Sequence, residues 1–342
     1  MKALVYSTRK YDQEALDTAN RNKHELHFTE ARLDERTASL ARDYPAICCF
    51  VDDTIDSPTL KRLNDGGTSL VTLRSTGFNN VDLGAAEKFG MTVMRVSRYS
   101  PYAVAEFAVC LILALNRKIH RAYERVREGN FLLDGFLGFD LHGKTVGIVG
   151  TGKIGFVLAE ILHGFGCNLL GYDVTENPDC LSLGMRYVTL VELLKESDIV
   201  SLHAPLTPQT CHIINAKTLK VMKRGAMLIN TSRGALIESR ALVNALKSRH
   251  LGAAGLDVYE EESHIYFQDL SDEVISDDII MRLISFPNVI VTGHQAFFTV
   301  EALTIIAETT IKNMSDFDAG LINDNVLRPK DVVKPAGKTK TS

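Results

Sequence analysis

Three groups in the second half of the chain could do chemistry together. The stretch VTGHQAFF ends an apolar run, NVIVT, and places His294 directly after Gly293. NTSRG places Arg233 after AMLIN, and GLDVY runs into the acidic triplet Glu260, Glu261 and Glu262. Each has a plain structural use: an arginine can cap a turn, an acidic triplet can be a solvated loop, and a histidine where a strand stops is most often a satisfied core or turn residue. Jointly they say more. A guanidinium grips a carboxylate with two parallel bonds, and its charge polarises a neighbouring ketone. An imidazole donates a proton to the ketone oxygen as hydride arrives, or accepts it in reverse. A glutamate bonded to the imidazole fixes its tautomer and raises its pKa. That set suits reduction of a 2-oxo acid.

Hydride must come from a cofactor, and VGIVGTGKIG supplies a candidate site. Gly150, Gly152 and Gly155 form G-x-G-x-x-G between a buried strand and an apolar helix. The first glycine permits a tight turn, the second lets backbone approach a pyrophosphate, and the third allows close packing of helix on strand. Lys153 and Ile154 lie in the first helical turn, where free amides and the positive end of the helix dipole favour phosphate. The next strand ends at Asp173, placed to hold both ribose hydroxyls and to repel a 2′-phosphate. NAD is therefore expected rather than NADP. FAD uses the same fingerprint, but usually near a chain's beginning, and the later motifs favour a nicotinamide.

The elements that must position these groups follow from periodicity. Short β-branched runs alternate with helical stretches in the first hundred residues: ALVYS, ELHFT, AICCFV, LVTLRS and TVMRV, with YDQEALDTAN and SPTLKRLN between them. This predicts a small parallel α/β sheet. Ser100 and Pro101 suit an N-cap and first helical position, and the helix that follows is predicted to reach about Glu128. Its first half is apolar on nearly every side, so it must be buried on both faces. A second series begins at Lys144, with strands TVGIVG, NLLGYD, DIVSLHAP, AMLINT, GAAGLDVY and NVIVTGH separated by IGFVLAEILHGF, TLVELLKES and SRALVNALKS. That is the rhythm of a doubly wound sheet, whose ligand crevice lies at the carboxyl ends of its strands. Arg233, the acidic triplet and His294 all follow such ends. A further long helix follows Thr299, and residues 333–342 read as a mobile basic tail.

Composition narrows the classes. The 342 residues suggest about two domains, and 45% hydrophobic with 23% charged residues is ordinary for globular proteins. A net charge of −4 gives no general attraction to nucleic acid or anionic membrane. The apolar start MKALVYST is too short for a signal peptide, and VAEFAVCLILAL is too short to span a bilayer and carries Glu106. The six cysteines form no CxxC, which predicts buried, reduced thiols and a cytoplasmic protein. His24 and His27 read as surface residues, and no metal site is expected.

GTGKIG with Asp173, HAPLTPQT (203–210), NTSRG (230–234), LDVYEEE (256–262) and GHQAFFT (293–299) resemble the motifs of the D-isomer specific 2-hydroxyacid dehydrogenase family. The likeness covers nearly the whole chain. It implies that Arg233 binds the substrate carboxylate, that His294 is the acid/base, and that Glu262, rather than Glu260 or Glu261, pairs with it. It also implies that Ala204, Pro205, Thr210, Thr231 and Ser232 line the cofactor pocket, with Asp257 near the nicotinamide amide. RSTGFNNVDL, YSPYAVAE, LNRKIHRAYERVREGNF and the long segment between Glu262 and His294 look like fermentative D-lactate dehydrogenases. On that likeness, backbone around Ser75, Thr76 and Gly77 holds the carboxylate, Tyr99 contacts substrate, and Phe297 closes the apolar side of the pocket. Many relatives have V-P-A-Y-S-P and A-V-A-E-H where this chain has Ser97, Arg98 and Phe107; none of these replaces a proposed catalytic group.

The reading that results is an α/β protein of two doubly wound parallel-sheet domains. A Rossmann NAD domain (101–297) is inserted into a flavodoxin-like substrate domain (1–100 and 298–332), and a cleft between them closes to exclude water. The expected activity is reversible reduction of pyruvate to D-lactate by a homodimer or higher homo-oligomer, with the helix 101–115 as the candidate dimer interface. The alternatives are action on larger 2-oxo acids, or a non-enzymatic NAD-sensing co-repressor of the same fold.

Overall fold

The computed structural model describes residues 1–262 and 265–331. Two compact units divide the described chain: Pro101–Phe297, and Met1–Ser100 together with residues 298–331.

In the first unit, β1 (Lys2–Val5), β2 (Glu25–Phe28), β3 (Ala46–Cys49), β4 (Leu70–Leu73) and β5 (Thr92–Met94) are parallel in the order β2-β1-β3-β4-β5. A two-residue strand, Val326–Leu327, adds antiparallel to β5. Strands β3 and β4 are buried at every position, as both faces of a parallel sheet must be. One face packs on Leu60 and Leu63, one turn apart on the helix Ser57–Asp65, which starts where the Asp56 carboxylate accepts from the Thr59 amide. The other face packs on Leu16 and on Ala307, Ile311 and Met314 of the helix Val300–Asp318.

The second unit is an all-parallel sheet of seven strands. These are β6 (Thr145–Val149), β7 (Asn168–Tyr172), β8 (Arg186–Tyr187), β9 (Ile199–Leu202), β10 (Met227–Asn230), β11 (Ala253–Leu256) and β12 (Val289–Val291). Their order is β8-β7-β6-β9-β10-β11-β12. Strand order reverses between β6 and β9, which is where doubly wound sheets open their ligand crevice.

Several expectations need correction. The helix predicted from 101 to 128 is two, Pro101–Arg117 and Ile119–Arg127, because Lys118 takes a left-handed conformation (φ 53°). Its ammonium donates to the Gly135 and Leu137 carbonyls, which holds that break in place. The apolar sides of Pro101–Arg117 are used inside the second unit. They pack on the helix Lys153–Gly164 and on β10 and β11, and a Cβ on Gly255 would sit 3.2 Å from Leu111. Packing inside this unit is thus enough to account for its buried apolar sides. The observed strands are one to four residues shorter than their apolar runs, since the carboxyl-end residues leave the ladder to form loops. β8 and Val326–Leu327 are too short to show a period. His24 is buried, not on the surface: its Nε2 lies 2.8 Å from the Ser315 hydroxyl and its Nδ1 3.3 Å from the chain's amino terminus. Cys110 and Cys211 are exposed; the other four cysteines are buried, and all six are free thiols. The tail 333–342 lies outside the described residues. Among those described, no helix is long and apolar enough to cross a membrane.

Candidate active site

The loop after β6 has the features a pyrophosphate needs. Gly150 is left-handed (φ 92°), and a Cβ there would lie 2.5 Å from the Ala204 amide nitrogen. A Cβ on Gly155 would lie 2.1 Å from the Gly150 carbonyl. At Gly152 a Cβ would meet nothing within 4 Å. The fold thus explains the first and third glycines, while the space beside the second is left for something other than protein. No side chain caps the helix that starts at Lys153, so its first-turn amides remain available to an anion. Thr231, at the end of β10, is 7% exposed and its hydroxyl oxygen is buried without a partner among the described residues. These features fit a dinucleotide.

Asp173 follows β7. Its carboxylate accepts from the Thr151 amide (2.6 Å) and hydroxyl (3.2 Å) and from the Val174 amide (2.7 Å). A carboxylate has about four acceptor sites, so capacity for ribose remains. Thr151 is clamped further, with the Tyr187 hydroxyl donating to its Oγ1 (2.7 Å) and the Asn177 amide group to its carbonyl (2.8 Å). Three other predicted cofactor residues act on the loops themselves. The Thr210 hydroxyl donates to the Pro205 carbonyl (2.6 Å) and the Ser232 hydroxyl to that of Ala204 (2.7 Å). Asp257, fully buried, accepts from the Thr292 hydroxyl (2.6 Å) and from the amides of Gln295 and Ala296 (2.9 Å each).

That aspartate builds the turn that carries His294. The His294 amide donates to the Asp257 carbonyl (2.8 Å), and the histidine sits at φ 56°, a region few non-glycine residues occupy, histidine more often than most. Its Nδ1 is 3.0 Å from Glu262 Oε1, and the other Glu262 oxygen accepts from the Tyr259 amide (2.8 Å). Both side chains are largely covered, at 19% and 25% exposure. Nε2 of His294 has no protein partner among the described residues. Of the three glutamates, only Glu262 reaches this imidazole. Glu260 instead pairs with His212 Nε2 (2.5 Å) and accepts from the Ser239 amide (3.1 Å); burial pushes its carboxyl up, but these partners outweigh burial and hold it below the usual range. Glu261 is exposed.

Arg233 is half-buried after β10, its Nη1 donating to the Ser232 carbonyl (2.7 Å). A Cβ on the next residue, Gly234, would lie 2.0 Å from the Tyr259 carbonyl carbon. The arginine loop is therefore pressed against the loop that leads to Glu262. His203, in the loop after β9, is a poor proton carrier near neutrality, because desolvation pulls its pKa to about 4. Phe297 and Tyr99 are half-buried in their separate units.

In the first unit, the loop after β4 carries Ser75, Thr76 and Gly77. All three carbonyls are taken, by the Val96 amide, the Arg95 guanidinium and the Ser75 hydroxyl respectively. The amides of the three residues donate to no protein acceptor among the described residues. Successive N–H groups without protein acceptors are a donor set that an anion could use. As for the departures, Ser97 donates to the Asn325 side chain (2.6 Å), Arg98 is exposed, and Phe107 packs against the core of the second unit.

Sequence reasoning missed Tyr187, Asn177 and Phe267. Phe267 stands in the long segment before β12, its ring centroid 5.8 Å from that of His294. The segment's family resemblance was the one signal that pointed there.

A sheet edge with an open glycine loop, a carboxylate-bound imidazole and an arginine on the adjoining loop fits a class, the nicotinamide-dependent oxidoreductases. Comparison with known proteins makes it specific. Residues 109–296 match the model of the D-isomer specific 2-hydroxyacid dehydrogenase NAD-binding domain. The chain is 48% identical over 328 residues to D-lactate dehydrogenase of Escherichia coli, covering 96% of this chain and 100% of that protein. It is 50% identical over 319 residues to 2-hydroxyacid dehydrogenase homolog 1 of Schizosaccharomyces pombe, covering 93% and 96%. The apo-structure of the Escherichia coli enzyme superposes with a TM-score of 0.88 at 46% identity, over 96% of this chain and 100% of that one. The chain belongs to the D-isomer specific 2-hydroxyacid dehydrogenase family, and its cofactor is NAD.

Proposed function

We propose that the protein catalyses reversible reduction of pyruvate to D-lactate. The observation that carries this reading is the Glu262-bound imidazole of His294, with Nε2 left to face a substrate oxygen, on the sheet edge that also carries the open glycine loop. NADH, when bound, supplies the hydride. Arg233 grips the substrate carboxylate and polarises the adjacent ketone. His294 delivers the proton to the ketone oxygen from Nε2, while Glu262 stabilises the imidazolium and fixes its orientation. The family resemblance also assigns the open amides of Ser75, Thr76 and Gly77 to the substrate carboxylate, and Tyr99 and Phe297 to the small apolar substituent. Thr231, Ser232, Ala204, Pro205 and Thr210 would border the dinucleotide, and Asp257 its amide end. D-stereochemistry rests on the family.

Pyruvate is preferred to larger 2-oxo acids because the relatives near half identity include D-lactate dehydrogenases, whereas the solved D-2-hydroxyisocaproate dehydrogenase is 29% identical. The test is NADH oxidation over pyruvate, 2-oxobutyrate, 2-oxoisocaproate and phenylpyruvate, with chiral assignment of the product. The highest kcat/KM should fall on pyruvate, giving D-lactate. A larger substrate winning would move the assignment, and no turnover on any would remove it. Six free thiols suit a reducing compartment such as the cytoplasm.

We also propose a homodimer that buries the apolar segment following the helix Pro101–Arg117. Tyr123, Phe131, Leu132, Leu133 and Leu137 are 63–90% exposed within one short segment, and clustered exposed apolar side chains mark interaction surfaces. Mass measured across a dilution series should report twice the chain mass, and Leu133→Glu with Leu137→Glu should lower it to one.

A further inference from the structure

Among the described residues, Arg74 is the only arginine or lysine that is buried, at 2% exposure. It stands at the carboxyl end of β4, directly before the open-amide loop. Its fork reaches across β3 to the end of β1. Nη1 and Nη2 each donate to the Tyr6 carbonyl at 3.2 Å, Nη2 also to that of Ser7 at 3.2 Å, and Nη1 lies 3.6 Å from the Cys48 sulfur. Its carboxylate contact is a long one, Nε to Asp12 at 3.4 Å, and its face lies 5.5 Å from the Phe50 ring.

A buried guanidinium loses several kcal/mol of hydration, and an apolar residue of similar volume would often be neutral or better for stability. Stability alone is therefore a weak reason for this residue. Two other features are better reasons. The donors are spent on the Tyr6 and Ser7 carbonyls, which ties the end of β1 to the end of β4. The residue they anchor starts the loop whose carbonyls are all turned to protein and whose amides are all open.

We infer that Arg74 is a positioning residue for the substrate carboxylate. It fixes the strand end from which the Ser75–Thr76–Gly77 amides project, and so holds those amides in place for the anion. The inference rests on the reading of those amides given under Proposed function. It predicts an effect on substrate affinity with little effect on the chemical step or on the cofactor.

The experiment measures kcat, KM for pyruvate, NADH affinity and the thermal midpoint for the full-length protein and for Arg74→Lys and Arg74→Met. The expected result is a KM raised about tenfold in Arg74→Met, the size of one lost charge-assisted contact. Arg74→Lys should fall between, since it keeps the charge and loses the fork. Values of kcat should stay within about threefold, and NADH affinity should be unchanged. A merely structural role would lower the active fraction, and so kcat, at constant KM, and that result overturns the inference. If Arg74→Met does not fold, an unchanged KM in Arg74→Lys overturns it equally. A wild-type protein inactive on every 2-oxo acid removes both readings, which separates that failure from the failure of this one.

Discussion

At the residue scale the site depends on a histidine held in an unusual backbone conformation. His294 stays left-handed because Asp257 spends three bonds on residues 292–296, and the Glu262 contact then fixes its ring. His294→Ala should lower kcat by about 10²–10⁴-fold, the range for a lost general acid, with NADH binding retained in a fluorescence titration. Glu262→Gln should lose about a hundredfold, because the amide still accepts from Tyr259 but no longer offers a negative charge to the imidazolium. Arg233→Lys should raise the 2-oxo acid KM more than it lowers kcat, since a lysine lacks the planar fork. Retained turnover in the first variant would remove His294 as acid. These three residues were legible because each combines a reactive type with a strand-end position. Tyr187 and Phe267 were not. They reach Thr151 and His294 across 36 and 27 positions, and a lone aromatic residue carries no sign of a distant partner.

At the element scale, loop apposition aligns the groups. Gly234 lets the loop after β10 lie against the loop after β11, and the atoms a Cβ would strike are backbone atoms of Tyr259 and Glu260. They cannot swing aside as a side chain can. Gly234→Ala should therefore destabilise the protein by about 3 kcal/mol, the upper end for overpacking, and reduce kcat/KM by moving Arg233 and Glu262 apart. Denaturant titration and kinetics on the same sample check both; unchanged values in each would show that the loops do not need this contact. Element types were legible where apolar runs had a clear period and a breaker at each end, as for TVGIVG before the glycines. Helix ends set by tertiary bonds were not. The sequence around Lys118 is helical on both sides, and the break is held by ammonium bonds to carbonyls 17 and 19 residues away.

At the scale of the whole molecule, each unit gathers polar groups at the carboxyl edge of its sheet, and in the first unit that edge contains a buried acid. Asp53 is 2% exposed and accepts from the Ser7 hydroxyl (2.6 Å), the Leu33 amide (2.7 Å) and the Phe50 amide (2.6 Å). It thus joins the loops after β1 and β3 to a third segment. Burial nevertheless dominates these bonds and raises its pKa from 3.8 to about 6. The sign follows from proton linkage. Between the unfolded and folded values the native state holds a proton that the unfolded chain has released, so stability from this group rises as pH falls through about 6 and levels off near 4. Removing the titration by Asp53→Asn should destabilise the protein at every pH, because an amide has one oxygen for three donors. The difference between the two proteins should not be constant, however. The wild type should gain about 1 kcal/mol over Asp53→Asn between pH 7 and pH 5, read from denaturant midpoints. Parallel pH curves for the two would mean that Asp53 titrates alike in the folded and unfolded chains, and that its three bonds offset its burial.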